Sequence, residues 1–153
     1  MGAKLIIRKG PRGMSKAFNE AREKANAAIG RMWHSEMLKD HFTERASMRY
    51  GYSVRTKRYE ARKTKKMGHK KPLVWSGTLQ KTVAGAVRIR ATPKSVKVTM
   101  SGPKWLKGFA SFFKNRRGPN MAAEITKIAK SEGKRLAEVA AKILKEAMDA
   151  AKG

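Results

Sequence analysis

The sequence predicts an α+β fold: a long N-terminal helix, an antiparallel β-hairpin or small sheet, and a long C-terminal helix. Three observations predict it. Apolar residues recur at intervals of three and four between Phe18 and Met37, and again from Ile125 to about Ala150. Between them, Val87 and Ile89, then Val96, Val98 and Met100, alternate with polar residues in steps of two. With 153 residues and 41% hydrophobic content the chain suits one core, so residues 1–153 read as a single domain.

In chain order, residues 4–8 alternate weakly and are bounded by Gly10, Pro11 and Gly13. Residues 1–13 therefore read as a short basic strand or extended arm. Ser15 is placed to cap a helix whose stripe runs through Phe18, Ala21, Ala25, Ala28, Ile29, Met32, Trp33 and Met37, with Glu20 and Glu23 in its early turns. Residues 42–71 show no clean apolar period and read as loops with a short helical piece. The turn Ala91-Thr92-Pro93-Lys94 closes the hairpin, whose alternation predicts one buried face. Residues 103–119 read as a loop that carries Trp105, Leu106, Phe109, Phe112 and Phe113 among Lys104, Lys107, Lys114, Arg116 and Arg117. The last helix starts from Asn120 as N-cap and carries Ile125, Ile128, Leu136, Val139, Ile143 and Leu144, with Gly133 the expected place for a kink.

Charge dominates the composition. Against 37 Lys and Arg stand 11 Asp and Glu, a formal net charge of +26. Such a surface repels itself unless an anionic partner lies close, and nucleic acid, an anionic membrane surface and an acidic protein all qualify. The absence of cysteine excludes disulfides and thiolate metal sites and suits a reducing cytoplasm. No apolar run is long enough for a secretion signal or a membrane span, so no membrane partner is expected.

The densest cationic segment is residues 55–71, RTKRYEARKTKKMGHKK, in which only Glu60 opposes Arg55, Lys57, Arg58, Arg62, Lys63, Lys65, Lys66, Lys70 and Lys71. These residues can track a phosphate backbone, with Tyr59 available to stack on a base. A solvated charged loop is the bland alternative, but nothing nearby neutralises the run. No helix-turn-helix, zinc-finger or RNP signature accompanies it, so binding is expected to be salt-sensitive and blind to sequence.

Catalysis finds little footing. Of the three histidines, His34, His41 and His69, the first two are seven apart and could share a helix face, but no third metal ligand follows at useful spacing; no nucleophile motif is present, and Asp40 and Asp149 are the only aspartates. Neither catalytic residues, metal nor cofactor is therefore expected. Glu132 falls on the apolar line of the last helix. Its ordinary place is the stripe's wet edge, and a buried pair with an arginine is the other. The aromatics Trp105, Leu106, Phe109, Phe112 and Phe113 read as a subunit interface or as a loop folded back on its own domain; insertion into a membrane interface is the third reading, against which the shortness and poor helicity of the stretch weigh.

The runs W-H-S-E-M-L-K-D-H-F from Trp33, Y-G-Y-S-V-R from Tyr50 and P-L-V-W-S-G-T-L from Pro72 resemble a family of tailed-bacteriophage virion-morphogenesis proteins, the neck or tail-completion proteins. The resemblance continues through the hairpin into Met121, Glu124, Ile125, Glu132 and Leu136, about two-thirds of the chain. Ser76 departs from the threonine usual in that family, and the Tyr-Ala and later Gly that follow the hairpin in many relatives have no counterpart here. The resemblance implies a structural α+β subunit repeated in an oligomeric ring at the head–tail junction. Its partners would be copies of itself, other head–tail connector or tail proteins, and genomic DNA. It would sit in the virion neck, after a period in the host cytoplasm. Two rivals stand beside it. One is a free-standing nucleic-acid-binding protein of ribosomal or nucleoid type, argued from composition. The other is an enzyme acting on nucleic acid, such as a nuclease, against which the lack of a carboxylate cluster for a catalytic metal weighs.

Overall fold

A computed structural model describes residues 2–6, 16–102 and 121–150. The elements follow as β1 (Gly2–Ile6), α1 (Lys16–Met32), a π-helical turn (Trp33–Met37), a 3-10 turn (Leu38–Phe42), α2 (Ala46–Tyr50), α3 (Lys57–Met67), α4 (Thr78–Ala84), β2 (Val87–Thr92), β3 (Ser95–Met100), α5 (Met121–Glu124) and α6 (Lys130–Ala150). The class is α+β, as the periodicities predict. Ser15 and Asn120, the expected caps, lie outside the described residues, as do Trp105, Leu106, Phe109, Phe112 and Phe113.

The hairpin forms where the alternation puts it. Strand β2 pairs with β3 from Val87↔Met100 to Thr92↔Ser95, and the Thr92 hydroxyl accepts from the Lys94 and Ser95 amides at 3.3 and 3.1 Å to close the turn. Strand β1 pairs antiparallel on the other side of β3, giving the order β1-β3-β2. Val96, Val98 and Met100 are buried on the inner face, whereas Arg88, Arg90 and Lys97 stand exposed on the outer one.

Helix α1 lies across β2 and β3 and packs along α6. Its buried side is Ala21, Ala25, Asn26 and Ile29, mostly small residues that let helix and sheet approach. Gly30 marks the closest point, for a Cβ there would stand 2.8 Å from Val96 Cγ2 and 3.2 Å from Ile89 Cγ2. The buried Asn26 donates its amide to the Thr92 carbonyl at 2.7 Å, pinning the helix to the end of β2.

Two departures from the periodicity have physical causes. The first stripe does not stay one α-helix to Met37. The wider π turn shifts its phase, so that the neighbours Met37 and Leu38, and then His41 and Phe42, all become buried. At the other end, the break falls at residues 125–129 rather than at Gly133, which sits inside α6 and donates its amide to the Ala129 carbonyl at 2.9 Å. Glu132 causes the restart: its carboxylate reaches back to the Ala129 amide at 3.0 Å, capping the first turn of α6.

Candidate polyanion surface and groove

Residues 42–71, read from the sequence as loops with one short helical piece, hold two helices. The short α2 ends at Gly51, whose φ of 58° lets the chain reverse into Tyr52. Helix α3 is eleven residues long. Thr56 caps it by accepting from the Tyr59 amide at 3.2 Å, and Gly68, at φ 69°, ends it. Lys, Arg, Ala and Glu supply its helix propensity. An apolar stripe is missing because the inward side is formed by Tyr59, Lys63 and Met67, spaced by four, which a count of apolar residues does not detect.

The helix sorts the nine cations of this segment. Lys57, Arg58, Arg62, Lys65, Lys66, Lys70 and Lys71 are exposed, and Arg58, Arg62 and Lys65 share one outward face. Arg55 and Lys63 do not belong with them. Arg55 grips the buried Glu124 with both terminal guanidinium nitrogens, Nη1 at 3.0 Å and Nη2 at 2.5 Å, and Nη1 also donates to the Ser53 carbonyl at 2.7 Å. Lys63 is buried and donates to the Lys71 carbonyl, closing the loop after α3; burial, with Arg55 adding to it, lowers its pKa. Both side chains turn inward because each finds an acceptor there. Arg55 thereby ties the start of α3 to α5.

Lys57 and Arg58 occupy the first turn of α3, the end of the dipole that repels cations, and each such placement costs about 0.3–1 kcal/mol. That position is not explained by helix stability. Lys65 and Lys66, in the last turn, suit the dipole and carry no such inference.

Beside α3 runs the segment 72–79, and between them lies a cavity of about 670 Å³. Tyr59 and Trp75 line it with ring centroids 5.9 Å apart and planes tilted by 39°. The Arg62 guanidinium stands 5.6 Å from the Trp75 ring centre, and the Lys63 ammonium 5.8 Å from that of Tyr59. Leu73 and Leu79 form part of the apolar lining, Lys70 lies on the wall, and Val54 is 94% exposed at the rim. The sequence offers Tyr59 as a stacking residue but gives no sign that Trp75 would join it, since the two meet only through the turn after Gly68.

Behind this surface is a buried polar joint. Glu132, 2% exposed, accepts from the Tyr50 hydroxyl at 2.5 Å and from Arg49 at 3.1 Å, and Arg49 also holds Asp40 at 2.8 Å. Of the two places open to Glu132 in the sequence, the wet edge is therefore wrong and the buried arginine pair is right: the carboxylate is worth burying because three donors converge on it. His41 stacks on Tyr50 with centroids 3.8 Å apart and hydrogen-bonds the Tyr52 hydroxyl. Burial holds the His41 pKa down to about 4, against an opposing pull from Asp40, and burial likewise raises the pKa of Tyr50 and Tyr52. At neutral pH these groups keep fixed protonation states and face only protein. His34 lies apart from them, its ring donating to the Val83 carbonyl at 2.9 Å.

Among the described residues no group of three His, Asp or Glu side chains could hold a metal ion, and no helix is long and apolar enough to cross a membrane. Comparison with protein-family models, curated proteins and solved structures finds no match to this chain.

Proposed function

We propose that this chain is a structural, non-enzymatic subunit of a tailed-phage virion. In this reading it is a neck or tail-completion protein that repeats in a ring at the head–tail junction, beside the packaged DNA. The observation that carries the reading is where the residues of the family resemblance come together. Trp33, Phe42, Tyr50, Tyr52, Glu124, Glu132 and Leu136 are all buried, and Arg55–Glu124 and Arg49–Glu132 join the early and late segments across the core. Residues from the first, second and last stretches of the resemblance thus meet in one buried joint, which supports the reading. The exposed cations of α3 suit a surface that lies against DNA, binding through phosphates without reading bases.

The test is electron microscopy of lysates from a phage whose copy of this gene is disrupted, with the gene restored in trans as control. Filled heads beside separate tails are expected. Normal virions overturn the reading and favour the second one, a free-standing nucleic-acid-binding protein, for which the placement of Lys57 and Arg58 against the helix dipole is the specific observation. That reading predicts tight binding of duplex by isolated protein, falling steeply with salt.

A further inference from the structure

We propose that the groove between α3 and residues 72–79 is a stacking site for an unpaired nucleotide, its base against Tyr59 and Trp75 and its phosphates on Arg62 and Lys70. The inference rests on the polyanion reading of α3 and deepens it by naming which form of nucleic acid the protein engages there.

Size, lining and charge agree. A cavity of about 670 Å³ lies within the ~300–1,000 Å³ usual for small-molecule sites, room for a nucleotide. Tyr59 and Trp75 are each only partly buried, and both line the cavity with their rings tilted by 39°. A base offers a flat π-face to such a surface whatever its identity. Arg62, held over Trp75, and Lys70 place positive charge at the edge of the aromatic wall, where a phosphate attached to a stacked base would lie.

The choice of occupant follows from charge. No Asp or Glu occurs between Glu60 and Glu124, and Glu60 is the one carboxylate among the described residues of the lining. The exposed Arg62 and Lys70 on the wall disfavour a cationic group inside the groove. An anion with a planar apolar part is attracted to rim and floor together. Duplex DNA keeps its base faces stacked inside the helix, so an intact duplex meets the exposed cations of α3 and does not fill the groove. A strand end, a gap or an unwound segment does.

The experiment uses the full-length protein and compares a short oligodeoxythymidylate with a duplex of equal length at fixed salt. Trp75→Ala is expected to weaken single-strand binding roughly tenfold while duplex affinity stays within about twofold, and Trp75→Phe, which keeps a stacking ring, to fall between. Glu60→Gln, which removes the lining carboxylate, is expected to tighten single-strand binding. Oligonucleotide should quench tryptophan fluorescence more in wild type than in Trp75→Phe; if Trp75→Ala fails the circular-dichroism check for folding, this difference decides. Unchanged single-strand binding in folded Trp75 variants, with duplex still bound, overturns the stacking site and leaves the polyanion reading standing. No binding of either nucleic acid by wild type overturns both. Quenching by an acidic Glu/Phe peptide but not by the oligonucleotide assigns the groove to a protein partner and overturns the proposal.

Discussion

Replacing Glu132 with alanine is expected to cost about 2–5 kcal/mol of folding stability, because it strips a buried joint of its acceptor. The carboxylate is 2% exposed and serves three donors: the Tyr50 hydroxyl, an Arg49 nitrogen and the Ala129 amide. Arg49 is 39% exposed and keeps Asp40 at 2.8 Å, so its loss is largely absorbed by solvent and by the second acid. The Tyr50 hydroxyl has no such recourse, and a buried donor left without a partner costs roughly 1–3 kcal/mol. Losing the cap on the first turn of α6 adds about 0.5–2 kcal/mol. For a chain of this size each kcal/mol lowers Tm by about 2–4 °C, so thermal unfolding followed by circular dichroism should show a fall of roughly 4–20 °C. Glu132→Gln, which still accepts from Tyr50, should lose less than half of that. A fall under about 2 °C for Glu132→Ala would refute the account of the joint, because it would mean that none of these donors depends on the carboxylate.

Three further outcomes follow. The folded His41 binds its proton only near pH 4, whereas the unfolded residue binds near 6.5, so the stability at stake is fully present above pH 6.5. It falls by about 1.4 kcal/mol per pH unit as the pH drops towards 4, about 3 kcal/mol in all; His41→Phe should flatten that part of the pH–stability profile, and an unchanged slope would assign it to other groups. Gly30→Ala gains about 1 kcal/mol of helix propensity, but its methyl meets the stiff Val96 and Ile89 side chains at a cost of about 1–3 kcal/mol; a lower Tm is expected, and a raised one would show that α1 lifts freely from the sheet. Reversing Arg58, Arg62, Lys65 and Lys66 to Glu should leave the far-ultraviolet spectrum intact and lower both duplex affinity and the slope of log affinity against log salt. That slope should fall by about 0.9 for each phosphate that the variant no longer neutralises, and an unchanged slope in the folded variant would remove α3 from the interface.

What could be read from the sequence was whatever a single period encodes. The hairpin's alternation from Val87 to Met100 and the spacing from Leu136 to Leu144 each report one side of one element, and both elements form there. Helix α3 escaped because its inward side is Tyr59, Lys63 and Met67; Thr56 and Gly68 were the local signs of its two ends. The candidate surface was legible as charge but not as geometry. Arg55 and Arg58 look alike in sequence, and only the fold brings Glu124 to the first and leaves the second exposed. The fate of Glu132 was equally hidden, since its partners Arg49 and Tyr50 lie 83 and 82 residues earlier.

The strand order β1-β3-β2 carries a consequence for assembly. Strand β1 is synthesised long before β3, with which it pairs, and β2 and β3 can close their local turn without it. Pairing across so large a separation in sequence is slow compared with closing a hairpin. The N-terminal strand is therefore expected to seat after the hairpin, and until it does one edge of β3 offers unpaired backbone groups to any extended chain nearby.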